Sequence, residues 1–412
     1  MNHQTLTERI RKDFPALQRE FAGRLPAFFD GPAGSQVPHQ VIHAITEYLA
    51  SHNANTGGSF ATSRETDQII EDARDRVASF LGAPSSGSVV FGANMTTLTF
   101  SISRSLKRDW SEGDEIIVTD LDHQANIAPW RMAAEEAGAQ VKVVPFHRES
   151  CTLDLDAFEK LLTPRTKLVA VGLASNAVGT ITDVARIVAS AKQAGALSFI
   201  DAVHFAPHGL IDVSALGSDF LACSAYKFFG PHVGILWGKE EHLAGLTPYK
   251  VPPASDSSPG RWETGTLNHE GIAGTGAAVD WIASLGGEGD SLRDRVAAGM
   301  RTIHELEGPL LQQLLTGLRS IPGVSVYGPP AGHPRTPTVA FTSANEPAGL
   351  LAERLAGEAI FVWAGDFYAS TVIDRLGLRE RGGVVRVGLA PYNTPAEVDR
   401  LLESVADRRV GL

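Results

Sequence analysis

Between residues 88 and 238, seven short apolar runs alternate with helix-like stretches, and this alternation constrains the fold more than any other feature. The runs are Val89-Val90-Phe91, Glu115-Ile116-Ile117-Val118, Val141-Lys142-Val143-Val144, Leu168-Val169-Ala170-Val171, Ser198-Phe199-Ile200, Phe220-Leu221-Ala222 and Gly234-Ile235-Leu236-Trp237. Helix patterns such as 127–137 and 183–194 separate them. Strands that are apolar on both faces predict a mostly parallel, seven-stranded sheet covered by helices. Such sheets gather their functional groups at the carboxyl ends of the strands.

A helical stretch over 271–316, broken near Gly286, leads to a second set of runs. These are Val324-Ser325-Val326-Tyr327, Thr338-Val339-Ala340-Phe341, Ile360-Phe361-Val362-Trp363 and Val384-Val385-Arg386-Val387, with helix patterns at 347–355 and 395–405. A chain of 412 residues exceeds one compact core. The expected fold is therefore α/β, with a large domain over 31–284 and a smaller C-terminal α/β domain over 285–412. Residues 1–30 are expected to join the small domain.

A net charge of -11 argues against a nucleic-acid partner. No apolar stretch approaches membrane-spanning length, and the first residues lack the apolar core of a signal peptide. Cys151 and Cys223 form neither a disulfide framework nor a metal-ligand spacing, so no metal is expected and a cytoplasmic setting fits.

The chemistry centres on Ser224-Ala225-Tyr226-Lys227, where a lysine stands between two apolar strands. Burial lowers a lysine's pKa and makes its amine a nucleophile toward carbonyls. Upstream, Phe199-Ile200-Asp201 ends another apolar run in an acid. Either residue alone also fits a solvated strand end or a turn. Together they suggest pyridoxal 5'-phosphate (PLP), with Lys227 holding the aldehyde as a Schiff base and Asp201 pairing with the pyridinium nitrogen.

Asn94, Met95 and Thr96 open a helix after a strand, where free N–H groups either receive a cap or cradle a phosphate. His123 follows a strand and is either a turn residue or a ring partner that assists proton transfer. Asn176 also ends a strand and suits a phenolic oxygen or a carboxylate. Arg386, a charge in an apolar strand, requires either an internal salt bridge or a substrate carboxylate. The polar–aromatic cluster at 261–266 has no role legible in the sequence.

These residues resemble the class V aminotransferase, or cysteine-desulfurase-like, branch of fold-type I PLP enzymes. The resemblance runs from Phe28-Phe29-Asp30-Gly31-Pro32-Ala33 to Ala390-Pro391-Tyr392-Asn393-Thr394 and is densest at Asp201-Ala202-Val203-His204 and Ser224-Ala225-Tyr226-Lys227. It implies that His123 stacks on the cofactor ring, that Asn176 and His204 meet its phenolic oxygen side, and that Thr96, Ser224 and Tyr226 lie near the phosphate. Thr266 would reach the phosphate of a neighbouring subunit, which implies a homodimer with shared sites. Arg386 would bind the carboxylate of a small amino-acid substrate.

Desulfurases carry a nucleophilic cysteine on a small-domain loop, and the matching segment here is Ala364-Gly365-Asp366-Phe367-Tyr368-Ala369, with Tyr368 near the cysteine's place. Persulfide chemistry is therefore not expected. Gly57 and Gly58 replace a histidine-bearing family segment, either leaving room for a bulkier substrate or forming a plain turn. The expected reaction is C–S β-elimination on cysteine or an S-conjugated cysteine, as in C–S lyases of secondary metabolism. Transamination, epimerisation and decarboxylating oxidative deamination break or remake other bonds at the same carbon. A non-catalytic sulfur-carrier partner or scaffold is the reading outside enzymes.

Overall fold

The computed structural model describes residues 3–21 and 23–407. All seven expected strands form: β1 Val89–Gly92, β2 Glu115–Thr119, β3 Gln140–Val144, β4 Thr166–Gly172, β5 Leu197–Asp201, β6 Phe220–Ser224 and β7 Gly234–Gly238. Their order is β1-β7-β6-β5-β4-β2-β3, and only β7 runs against the rest. Alternate residues enter two separate cores. Phe91, Ile117, Val169, Ile200, Leu221 and Ile235 point to one face. Val90, Ile116, Ala170, Phe199, Ala222 and Leu236 point to the other. Burial on both faces explains why these runs are apolar throughout.

The small domain has a four-stranded antiparallel sheet in the order β8-β9-β11-β10, built from β8 Val324–Tyr327, β9 Thr338–Ser343, β10 Trp363–Gly365 and β11 Val384–Gly388. The run 360–363, expected as one strand, is divided. Ile360 and Phe361 pair in parallel with Ala27 and Phe28, while Trp363 begins the sheet edge. The N-terminal segment takes the backbone bonds at 359–361: Ala27 N–H donates to the Ala359 carbonyl and Phe29 N–H to that of Phe361, both at 2.9 Å.

The domain boundaries expected from the sequence do not coincide with packing boundaries. Among the described residues of 1–30, Ala27 and Phe29 enter the small-domain core, whereas Ile10, Phe14 and Leu17 pack on the large one. Residues 1, 2, 22 and 408–412 of that division lie outside the described residues. The helix Leu292–Ser320 lies wholly beyond the expected boundary at 284/285, yet it serves both cores. Its residues Val296, Ile303 and Leu306 belong to the large core, and Leu310, Leu314 and Leu318, beyond Pro309, to the small one. Helices also form over His3–Asp13, His39–Glu47 and Ala61–Leu81, in a region where the sequence suggested no element.

Two further features position the strand ends. Gly234 begins β7 so close to Asn94 that a Cβ there would lie 2.4 Å from the Asn94 carbonyl carbon, so only glycine fits. The cluster at 261–266 is structural over its first residues. Glu263 binds Arg74 at 2.7 Å and accepts the Phe91 N–H at 2.8 Å, and Trp262 donates from Nε1 to the Leu243 carbonyl.

Fully buried Phe14 meets Tyr392, Trp281 and Phe229 edge-on, at ring centroid separations of 4.9, 5.1 and 6.0 Å. It ties the N-terminal segment to the turn that follows Lys227. Phe14→Ala is expected to lower stability by about 3–5 kcal/mol, read as an earlier urea midpoint with an unchanged slope.

Candidate active site

One cavity of about 660 Å³ opens at the carboxyl edge of the large sheet. Lys227, Asp201, His123, Asn176, His204, Ser224, Tyr226, Asn94, Met95, Thr96, Tyr368 and Arg386 all line it. Strand geometry brings them together: Asp201 ends β5, Ser224 ends β6, His123 follows β2, and Asn94 follows β1.

Lys227 is buried in a 3₁₀ turn directly after β6. Its Nζ donates to the Pro32 carbonyl and, at 3.1 Å, to that of Ala33. Burial, reinforced by the Arg386 cation and opposed by Asp201, brings its pKa down from 10.5 to about 7. Asp201 accepts the Val203 N–H at 2.9 Å, and burial raises its carboxyl to about 6 despite that bond and the Lys227 charge. His123 accepts the Ala125 N–H at Nδ1, 3.0 Å away, which leaves the proton of the neutral ring on Nε2. Burial and the two nearby cations, Lys227 and Arg386, lower its pKa to about 4.

Arg386 sits in mid-β11, fully inside the protein. Its Nη1 donates to the Asn176 carbonyl at 3.0 Å, and its guanidinium carbon lies 3.9 Å from the Phe367 ring centroid. Among the described residues it makes no salt bridge, and its Nε is buried without a partner. The internal pairing left open by the sequence is therefore not formed, and donors remain for a carboxylate.

At the first turn of the helix Met95–Leu106, Asn94 accepts the Thr97 N–H and Ser224 Oγ accepts the Met95 N–H, both at 3.0 Å. Asn94 and Ser224 thus hold the turn in shape. Thr96 keeps its N–H and hydroxyl without a protein partner among the described residues. Tyr226 is stacked on His232 at 5.0 Å. His204 engages Thr336 and Thr338 of the small domain through Nε2, at 3.2 and 3.1 Å.

Three expected residues lie elsewhere in the chain. Gly57 and Gly58 fold back on their own helix, their N–H groups donating to Asp67 at 3.1 Å and Ser63 at 2.7 Å. Thr266 lines a separate cavity of about 360 Å³ together with Asn55 and Thr56. The site also contains Asp122, which the sequence reading passed over. It is buried, accepts from Gly172 N–H at 3.0 Å and Asn126 at 2.8 Å, and stands at about 7 through burial and the like charge of Asp201. An acid immediately before His123 was the available signal. Pro32, Phe100, Trp363 and Phe367 also line the cavity and carried no such signal.

A buried amine, a buried carboxylate, an unpartnered Asn176 Oδ1 and an open helix N-terminus around one cavity fit an aldehyde-bearing pyridine phosphate. Residues 27–401 match the family Aminotransferase class-V. The chain belongs to that family. It is 34% identical to a cysteine desulfurase of Enterobacter sp. (strain 638) over 414 residues, which cover 96% of each chain. It is 32% identical to a probable cysteine desulfurase of Streptomyces coelicolor over 420 residues, 97% of this chain and 96% of the other. A cysteine desulfurase of Escherichia coli superposes with a TM-score of 0.84 at 29% identity, and one of Thermococcus onnurineus NA1 with 0.87 at 28%, each over 97% of both chains. Class-V aminotransferases use PLP, and this class-V chain is an enzyme of that kind.

Only the neutral amine attacks an aldehyde, and a depressed pKa makes that form dominant above about 7. Uptake of PLP by the cofactor-free protein, followed by the visible absorbance it acquires, is expected to rise with pH with a midpoint near 7 and to level off above it. A rate still climbing at about pH 9, toward the ordinary lysine range, would show an unshifted amine. Lys227→Ala is expected to abolish the covalent link, so that mild reduction no longer fixes the cofactor to the chain.

Proposed function

We propose that this enzyme cleaves the C–S bond of cysteine or an S-conjugated cysteine by β-elimination, without a thiol nucleophile. The loop 364–369 at the cavity mouth carries this reading, because it presents Tyr368 and no cysteine. Cys151 and Cys223 are both buried away from the cavity, and burial pushes their thiols up, that of Cys151 to about 11. A thiolate nucleophile needs the opposite environment.

Lys227, Asp201, His123, Asn176, Thr96 and the Asn94–Ser224 turn would hold PLP, which supplies an electron sink for a bond broken at Cα. Arg386 holds the substrate carboxylate through its free donors. The Lys227 amine, half neutral near pH 7, takes the Cα proton. The Cβ–S bond then breaks, and the sulfur leaves with the bonding pair and picks up a proton. Water completes the products: pyruvate and ammonium, with hydrogen sulfide from cysteine or a thiol from an S-conjugate. Thr266 acts at the phosphate in the site of a second copy, in a cytoplasmic homodimer.

The names of the relatives favour a second reading, persulfide-forming desulfuration, and the products separate the two. Given L-cysteine and S-methyl-L-cysteine, the lyase is expected to release pyruvate from both. Alanine and enzyme-bound sulfur from L-cysteine alone would overturn it. Arg386→Gln is expected to raise KM for the amino acid about 10–100-fold with a smaller change in kcat, the loss of a charge-assisted pair.

A further inference from the structure

Resting on the β-elimination reading, we propose that the substrate is a cysteine conjugate whose sulfur carries a flat apolar group, held between Tyr368 and Trp363 at the cavity mouth.

Phe367 and Tyr368 are consecutive non-glycine residues with left-handed backbones, φ 56 and 57. Each is a strained conformation that persists only where its surroundings impose it. The imposing bonds come largely from the large domain. Asn176 Nδ2 donates to the Phe367 carbonyl at 3.0 Å, and the Gln124 N–H donates to the Tyr368 carbonyl at 2.8 Å. Tyr368 N–H is held by Asp366 Oδ1 at 3.1 Å. The two rings consequently part. Phe367 lies against the Arg386 guanidinium, while Tyr368 turns outward beside His123 at a centroid separation of 5.5 Å.

Tyr368 is left 72% exposed and Trp363 51% exposed, although both line the cavity that holds Lys227. Phe100 and Pro129 line it from the large domain. The floor gathers the charges, Lys227, Asp201 and Arg386, while the rim is aromatic and apolar. A cavity of this size with such a division fits a ligand polar at one end and apolar at the other. With the carboxylate at Arg386 and the Cα proton at Lys227, the sulfur substituent is the part that extends to the rim. Free cysteine would leave these rings uncovered, whereas an aromatic substituent would stack on them.

Binding is best read apart from turnover, on Lys227→Ala protein loaded with PLP, which cannot take the Cα proton through that amine. Calorimetry of S-methyl-L-cysteine and S-benzyl-L-cysteine is expected to show the benzyl compound at least about tenfold tighter, from apolar burial and ring stacking. Adding Tyr368→Ala and Trp363→Ala together is expected to shrink that ratio to about twofold, while Tyr368→Phe preserves it. Retained cofactor and an unchanged melting temperature verify that each variant is folded. Equal affinities, or a ratio that survives the double substitution, would overturn the proposal. If the preference is present but the wild-type enzyme releases no pyruvate from either compound, the elimination reading falls and the apolar mouth stands.

Discussion

Two buried cations share one cavity, and the rest of the site is arranged around that cost. Lys227 and Arg386 have left water: burial lowers Lys227 to about 7, with the Arg386 charge adding to it, and lowers Arg386 to about 9 against the opposing influence of Asp30 and Tyr226. Their nearest carboxyl counterparts, Asp201 and Asp30, are themselves raised to about 6 by burial. Among the described residues, no member of this group is neutralised by a direct salt bridge. A half-compensated cluster of this kind is unfavourable in an otherwise apolar interior. PLP, an anionic aldehyde, is a ligand of the kind that supplies missing partners to such a cluster. Such arrangements mark functional sites more than structural ones.

The two domains meet at this cluster. Arg386 comes from the small sheet yet bonds to the Asn176 carbonyl of the large domain, and Asn176 in turn holds the Phe367 carbonyl. His204, three residues after Asp201, bonds to Thr336 and Thr338. The long helix Leu292–Ser320 places its two ends in different cores. A shift of the small domain would therefore move Arg386, the mouth loop and the contacts of His204 together.

Much of this was legible in the linear chain. The seven strands follow from apolar runs that need burial on both faces. Lys227 and Asp201 follow because a charge at the end of a buried strand is expensive unless it is used. Less was legible wherever one element borrowed bonds from a distant one. The run 360–363 split because residues 27–29 supplied its hydrogen bonds. Gly57 and Gly58 were plausible cavity residues, yet their N–H groups found acceptors four or more positions along their own segment. Asp122 stood next to an identified histidine, but nothing local shows that its carboxyl is the acceptor for Gly172, on the neighbouring strand.

The sequence by itself determined the sheet, the lysine–aspartate pair and the absence of cysteine from the loop 364–369. These depend on residue type and on periodicity, which are local properties. Tertiary structure alone decided that Arg386 makes no salt bridge among the described residues, that Lys227 stands near neutrality, and that Tyr368 turns outward in a left-handed backbone. Each of these depends on desolvation and hydrogen bonds contributed by residues far away in the chain, and no pattern of neighbours records them.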